Sequence, residues 1–185
     1  MCSSDLNEAI VEIRQRVRSI QDKLPAAAHR PRVFSIEGIN PLVLGGHWIP
    51  DLLELAGGNQ DLLPSGSAAK RLEWGEVHDY NPDKLFVDLC SSDLARNLRE
   101  VPWLESQEGW RDMTCVQNGE VYLIDHSYFS RPGPRTIEGL EILAQLTHPD
   151  LFNGLVPRNA VVKLDVQRYA GRPDGEISDC FSPYH

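Results

Sequence analysis

The sequence predicts an open α/β fold: a mainly parallel, Rossmann-like sheet with helices on both faces, preceded by the end of a long helix. Three observations carry this. Short runs rich in β-branched and aromatic residues recur at RVFSIEGI (Arg32 to Ile39), KLFVDL (Lys84 to Leu89) and GEVYLID (Gly119 to Asp125), each bounded by Pro, Asn or Gly. Stretches with helical spacing separate them, and crossovers of that size join parallel strands right-handedly. Ahead of them Leu6, Ile10, Ile13, Val17, Ile20 and Leu24 are spaced alternately by four and three.

In chain order, that stripe makes the first element, one helical face about 30 Å long. Pro25 and the stretch AAAHRPR end it, because proline lacks the donor for the next turn. RVFSIEGI follows as a strand between Pro31 and Asn40-Pro41. GGHWIPDLLELAGG (Gly45 to Gly58) reads as a loop feeding a helix that carries Ile49, Leu52, Leu53 and Leu55 and stops at a glycine pair. A helix in EWGEVHDY, the strand KLFVDL, a helix around ARNLREV and the strand GEVYLID come next, the last after an Asn-Gly turn. TIEGLEILAQL (Thr136 to Leu146) is helical by the spacing of Ile137, Leu140, Leu143 and Leu146. From Asn153 to His185 the pattern fades, apart from a short strand-like AVVKLDV, and the segment reads as an irregular, loosely attached tail.

Composition narrows the function. In 185 residues, 41% hydrophobic and 24% charged, one well-cored globular domain is affordable, and no apolar run approaches the roughly 18 residues of a membrane span. A net charge of -9 with no basic cluster argues against nucleic acid as a partner. Phosphate-cradling and dinucleotide fingerprints are absent, as is a nucleophile elbow. The six histidines are scattered without a ligand pair on one helical face, so neither a metal nor a catalytic residue is expected. An α/β enzyme using His47 or His126 with Asp125 is the alternative of a different class, but no nucleophile with a placed partner supports it.

The pentapeptide CSSDL occurs twice, from Cys2 and from Cys90. It is too short for a structural repeat, and its Ser-Ser-Asp is good helix-capping chemistry. Its codons also read as the end of a short-read sequencing adapter. That origin would make residues 1–6 artificial, place the natural start upstream of Met1, and mean damage near Cys90.

Ligands of parallel sheets bind beyond the carboxyl ends of the strands, which selects the loops Asn40 to Trp48 and His126 to Arg135. In GGHW, two glycines let the backbone approach a ligand while His47 and Trp48 offer aromatic surface. In SYFSRPGPR (Ser127 to Arg135), Pro132 and Pro134 stiffen the presentation of Tyr128, Phe129 and Arg131.

Together GGHWIPDLLELAGG, EWGEVHDYNPDKLFV and GWRDMTCVQNGEVYLIDHSYFSRPGPRTIEGLEILAQLTHPDLF resemble the C-terminal lobe of a cobalamin-type ABC-transporter substrate-binding protein, the vitamin B12 and iron-siderophore class. The resemblance makes residues 1–25 the end of the helix joining two lobes and 32–152 one ligand-binding lobe. It implies capture of cobalamin or a related corrinoid between lobes, with iron-siderophore or haem as the alternative. Delivery to a membrane permease outside the cytoplasm follows, with no cofactor of its own and no bond chemistry. His47, Trp48, Tyr128, Phe129 and Arg131 would line the ligand, and Glu76, with Glu73 beside it, would dock on the permease. The family usually carries a Cys-Gly-aromatic turn where this chain has CSSDL, which sets Cys90 aside as a binding residue.

Overall fold

The structure, a computed structural model, describes residues 3–24, 29–171 and 176–185. Cys2 of the first CSSDL copy and Pro25, the expected helix stop, lie outside the described residues. Helix α1 spans Ser3–Lys23, and its stripe is only partly used. Ile20 is buried, whereas Leu6 and Ile10 are exposed. Arg16 clamps α1 to the later helix α6 (Pro134–Thr147) through a bidentate pair with Glu141 at 2.8 and 2.6 Å.

Among the described residues seven strands form one sheet in the order β3-β2-β1-β4-β5-β6-β7. The three predicted runs, β1 (Val33–Ile39), β4 (Lys84–Val87) and β5 (Val121–Ile124), pair in parallel at its centre. On one flank β2 (Leu42–Leu44) and β3 (Lys70–Arg71) continue it antiparallel. On the other, β6 (Val161–Leu164) and β7 (Phe181–Tyr184) do the same. The Asn40 to Trp48 loop therefore contains a strand, folded back by a turn at the cis Asn40-Pro41 bond.

Alternation along the strands feeds two cores. Leu85, Val87, Val121 and Leu123 face helices α3 (Trp74–Tyr80), α4 (Leu94–Glu105), α5 (Thr114–Gln117) and α7 (Val166–Ala170). Phe86, Tyr122 and Ile124 face α1, α2 (Ile49–Leu55) and α6. The predicted α/β fold with helices on both faces is observed. Among the described residues no helix is long and apolar enough to cross a membrane.

The expected irregular tail is a correction. Residues 161–164 and 181–184 extend the sheet, Gln145 accepts from the Leu155 and Val156 N–H groups at 2.7 and 3.1 Å, and Ser178 donates to the Leu98 carbonyl at 2.7 Å. Pro183 disguised β7, since proline cannot donate to a ladder; it is tolerated because β7 is an edge strand.

Candidate functional site

The carboxyl ends of β1, β4 and β5 open toward three turns, which build one mouth. The first is Gly45 to Trp48. A Cβ on Gly46 would lie 2.3 Å from the Ala69 nitrogen, so only glycine lets the two backbones pass. His47 adopts φ +58° and is held by its N–H to Ser67 (2.6 Å) and its carbonyl from Gly66 (3.2 Å). Left-handed backbone at a bulky residue is a local strain that surrounding bonds must hold in place. The His47 ring is then exposed, and Trp48 beside it is half-buried.

The second turn follows β5. Asp125 caps it by accepting the Ser127 N–H at 2.8 Å. The Trp48 indole donates to the Phe129 carbonyl at 2.9 Å, so the glycine-rich and proline-stiffened turns meet at a common rim. Thr136 Oγ1 accepts from Gly133 N–H (3.1 Å) and donates to the Arg131 carbonyl (2.8 Å), fixing the loop that presents Arg131. Arg131 is exposed.

Two of the expected ligand-lining side chains point elsewhere. Phe129 is 2% exposed and packs on α6, where a Cβ on Gly139 would come within 2.7 Å of its ring. Tyr128 is buried, with the Arg135 guanidinium 4.7 Å over its ring. Aromatic side chains on a short turn beside a helix gain more from apolar packing than from standing in water, and Gly139 leaves the space. Of the five expected residues, His47, Trp48 and Arg131 reach the surface at this mouth.

The third turn, Cys90 to Asp93, is the second CSSDL copy, and it works as a cap. Asp93 accepts the Arg96 N–H at 2.8 Å, and buried Ser92 Oγ lies 2.5 Å from Asn97 Oδ1. Asn97, wholly buried, donates to the Ile124 carbonyl at 2.8 Å and so ties α4 to the end of β5. Ser91 adopts φ +58°.

Between the second and third turns lies a polar cleft of about 800 Å³. Arg96, Arg99 and Arg131 line it together with Asp93, Asp125 and His126. Arg96 also leans on Glu100 at 2.7 Å. Sequence reasoning placed only Arg131 and Arg135 at the mouth and missed Arg96 and Arg99. Their signal was present: a helix leaving a parallel strand starts at the carboxyl edge, so arginines in its first two turns face the same rim.

Beneath the cleft, His126 Nδ1 lies 2.8 Å from the Asp88 carbonyl. Asp88 is 2% exposed, and its carboxylate accepts from Ser35 at 2.7 Å. Burial pushes that carboxyl well above the ordinary aspartate range, against the pull of the Ser35 hydroxyl and with the help of the Glu37 charge. His126 Nδ1 and Asp125 Oδ1 are thus bonded to different partners, the Asp88 carbonyl and the Ser127 N–H.

Glu73 and Glu76 stand apart, exposed at the start of α3. Glu76 accepts the Glu73 N–H at 2.9 Å and pairs with Lys70 at 3.3 Å; the bond from Glu73 is the main force holding its carboxyl below the usual range.

Comparison with known proteins agrees with this architecture. The uncharacterized ABC transporter substrate-binding lipoprotein YvrC of Bacillus subtilis (strain 168) is 41% identical over 86 residues, 46% of this chain and 26% of that protein. The periplasmic heme binding protein of Pseudomonas aeruginosa superposes with a TM-score of 0.64 at 20% identity, over 79% of this chain and 54% of that one. The periplasmic vitamin B12 binding protein BtuF of Vibrio cholerae gives 0.56 at 20% identity, over 74% and 51%. The chain therefore spans about a quarter of its curated relative and half of the solved neighbours, whose likeness at such identity speaks for the fold alone. The profile described as "Periplasmic binding protein" matches residues 3–128, from the long helix through the parallel core to the turn at Tyr128, and the chain belongs to that family.

Proposed function

We propose that this chain is one lobe of the substrate-binding component of an ABC importer, which holds a ligand against a second lobe and hands it to a membrane permease outside the cytoplasm. Family membership and the relative named as a substrate-binding lipoprotein support the class. The ligand we assign is an anionic metal chelate, a ferric siderophore or haem with its propionates. One observation carries this: three guanidinium groups, Arg96, Arg99 and Arg131, outnumber the two carboxylates, Asp93 and Asp125, that line the same polar cleft. Arginine keeps its charge at every working pH and offers forked donors that suit carboxylate and catecholate oxygens. With only Arg131 and Arg135 counted, the sequence leaned toward a corrinoid; the two arginines of α4 reverse that balance. The Pseudomonas aeruginosa neighbour is named as a heme binder.

Cobalamin is the second reading, favoured by the His47–Trp48 pair at the rim, whose rings lie 5.9 Å apart and offer apolar area to a broad disc. Glu73 and Glu76 remain the proposed permease-docking residues on the strength of their exposure.

Tryptophan-quenching titrations with a ferric catecholate, haemin and cobalamin, at low and high salt, separate the readings. The anionic ligands are expected to bind, to weaken with salt, and to lose at least about tenfold in Arg99→Gln and Arg131→Gln, roughly 1.4 kcal/mol each. Cobalamin binding that ignores salt and both substitutions, with no binding of the anions, would overturn the assignment.

A further inference from the structure

We propose that Glu37, Cys90 and His126 form a binding site for a zinc-like divalent cation. One ligand atom from each lies within 4.8 Å of the other two. The three come from the carboxyl ends of β1, β4 and β5, adjacent parallel strands, which explains why no local spacing announced them. Backbone bonding locks the frame: the Cys90 N–H donates to the Glu37 carbonyl at 2.8 Å, and His126 N–H donates to the Ser92 carbonyl at 3.1 Å.

The tautomer of the neutral imidazole follows from its partner. A carbonyl oxygen can only accept, so at 2.8 Å from the Asp88 carbonyl His126 Nδ1 carries the proton. The lone pair is left on Nε2. A ring nitrogen tied to a backbone carbonyl, with the other nitrogen bare, is the arrangement that orients and strengthens a metal-ligating histidine. His126 is 4% exposed and fixed, yet it lines the polar cleft.

One oxygen, one sulfur and one nitrogen donor suit zinc, whereas magnesium and calcium take oxygen sets. Ligands around tetrahedral zinc stand roughly 3.5 Å apart. The three atoms lie within 4.8 Å of one another rather than at that spacing, and exposed Cys90 and half-buried Glu37 are the side chains whose rotation would close the difference. Thiolate and carboxylate together neutralise the dication, so it adds no net repulsion against nearby Arg96. Three protein ligands leave a fourth position for water or another donor.

The chain, stripped of metal, is titrated with zinc alone by calorimetry and with cobalt(II) as the optical reporter; no organic ligand is present, so the outcome is independent of the transport reading. We expect one equivalent bound and a thiolate-to-cobalt charge-transfer band. Cys90→Ser abolishes the band, and Glu37→Gln weakens zinc by at least about tenfold. Both positions lie outside the two cores, and an unchanged urea midpoint shows that each variant folds. Absence of binding at micromolar metal, a band that survives Cys90→Ser, or zinc affinity untouched by Glu37→Gln each overturns the site. Cys115 does not confuse the reading, since burial pushes its thiol up to about 12.

Discussion

At the amino ends of β4 and β5, Glu120 accepts from Lys84 at 2.5 Å, Lys163 at 2.7 Å and the Tyr122 hydroxyl at 2.7 Å, while the Lys163 ammonium lies 5.1 Å over the Tyr122 ring. At the carboxyl ends of the same strands, His47 and Ser91 sit in left-handed backbone and three arginines turn toward a cleft. One rim saturates its charges with each other; the other holds strained backbone and lines an open cleft with Arg99 and Arg131, while Arg96 pairs with Glu100. The contrast teaches where the molecule is built to stand still and where it is built to meet something else. Stability is concentrated where partners are internal, and the proposed binding capacity where they are not.

The largest test is on the binding rim itself. Gly46→Ala drives a methyl into the Ala69 backbone and should cost about 3 kcal/mol by urea unfolding, the upper range for overpacking. A cost near zero would show that the rim relaxes, so that constrained backbone would no longer distinguish it from the opposite rim. Next, on the opposite rim, Glu120→Ala leaves two ammonium groups facing each other. About 2 kcal/mol should be lost, less than a fully buried pair would show because Glu120 and Lys163 keep some contact with water.

That rim also has an acid signature. Burial alone raises the Glu120 carboxyl, but the Lys163 and Lys84 ammonium groups outweigh it and leave it below the ordinary value of 4.5. A depressed folded pKa contributes stability that is present above the unfolded value and lost as pH falls through the folded one. Midpoints of Glu120→Gln measured from pH 6 down to 3 should therefore fall less steeply than those of the parent chain; parallel curves would assign the acid limb to other carboxylates.

Smaller still is Trp48→Phe, which removes the indole donor to the Phe129 carbonyl and should cost about 1 kcal/mol. If the two turns are truly coupled there, hydrogen exchange in residues 127–135 accelerates in this variant; unchanged exchange would uncouple them. The smallest effect has the opposite sign. Ser91→Gly relieves a left-handed residue and should stabilise by about 0.5 kcal/mol in the same unfolding assay, and destabilisation would mean that the Ser91 side chain contributes more than its backbone strain costs.

Much of the scaffold was legible. Each central strand is a short run of β-branched and aromatic residues, because a strand covered by helices on both faces is buried along nearly its whole length, and α6 carries Leu140 and Leu143 on the face it buries. β2 was hidden in a glycine- and proline-rich loop, and β7 behind Pro183, since both are short and take their identity from a neighbour's hydrogen bonds rather than from their own pattern. At the site, His47, Trp48 and Arg131 could be named because they sit beside glycine and proline signals. Tyr128 and Phe129 sit beside the same signals and were misplaced, because the space left by Gly139 on another helix decides which way an aromatic ring turns.

The sequence by itself determined the α/β class, the parallel order of its centre and the two turns that meet at the mouth, because hydrophobic period and backbone-restricting residues act over a few neighbours. Only the tertiary structure decided that Arg96 and Arg99 join Arg131 at one cleft, that Glu37, Cys90 and His126 converge, and that the last residues complete the sheet. Those juxtapositions arise from strand register and helix docking, which bring together residues far apart in the chain and leave no mark on any local pattern.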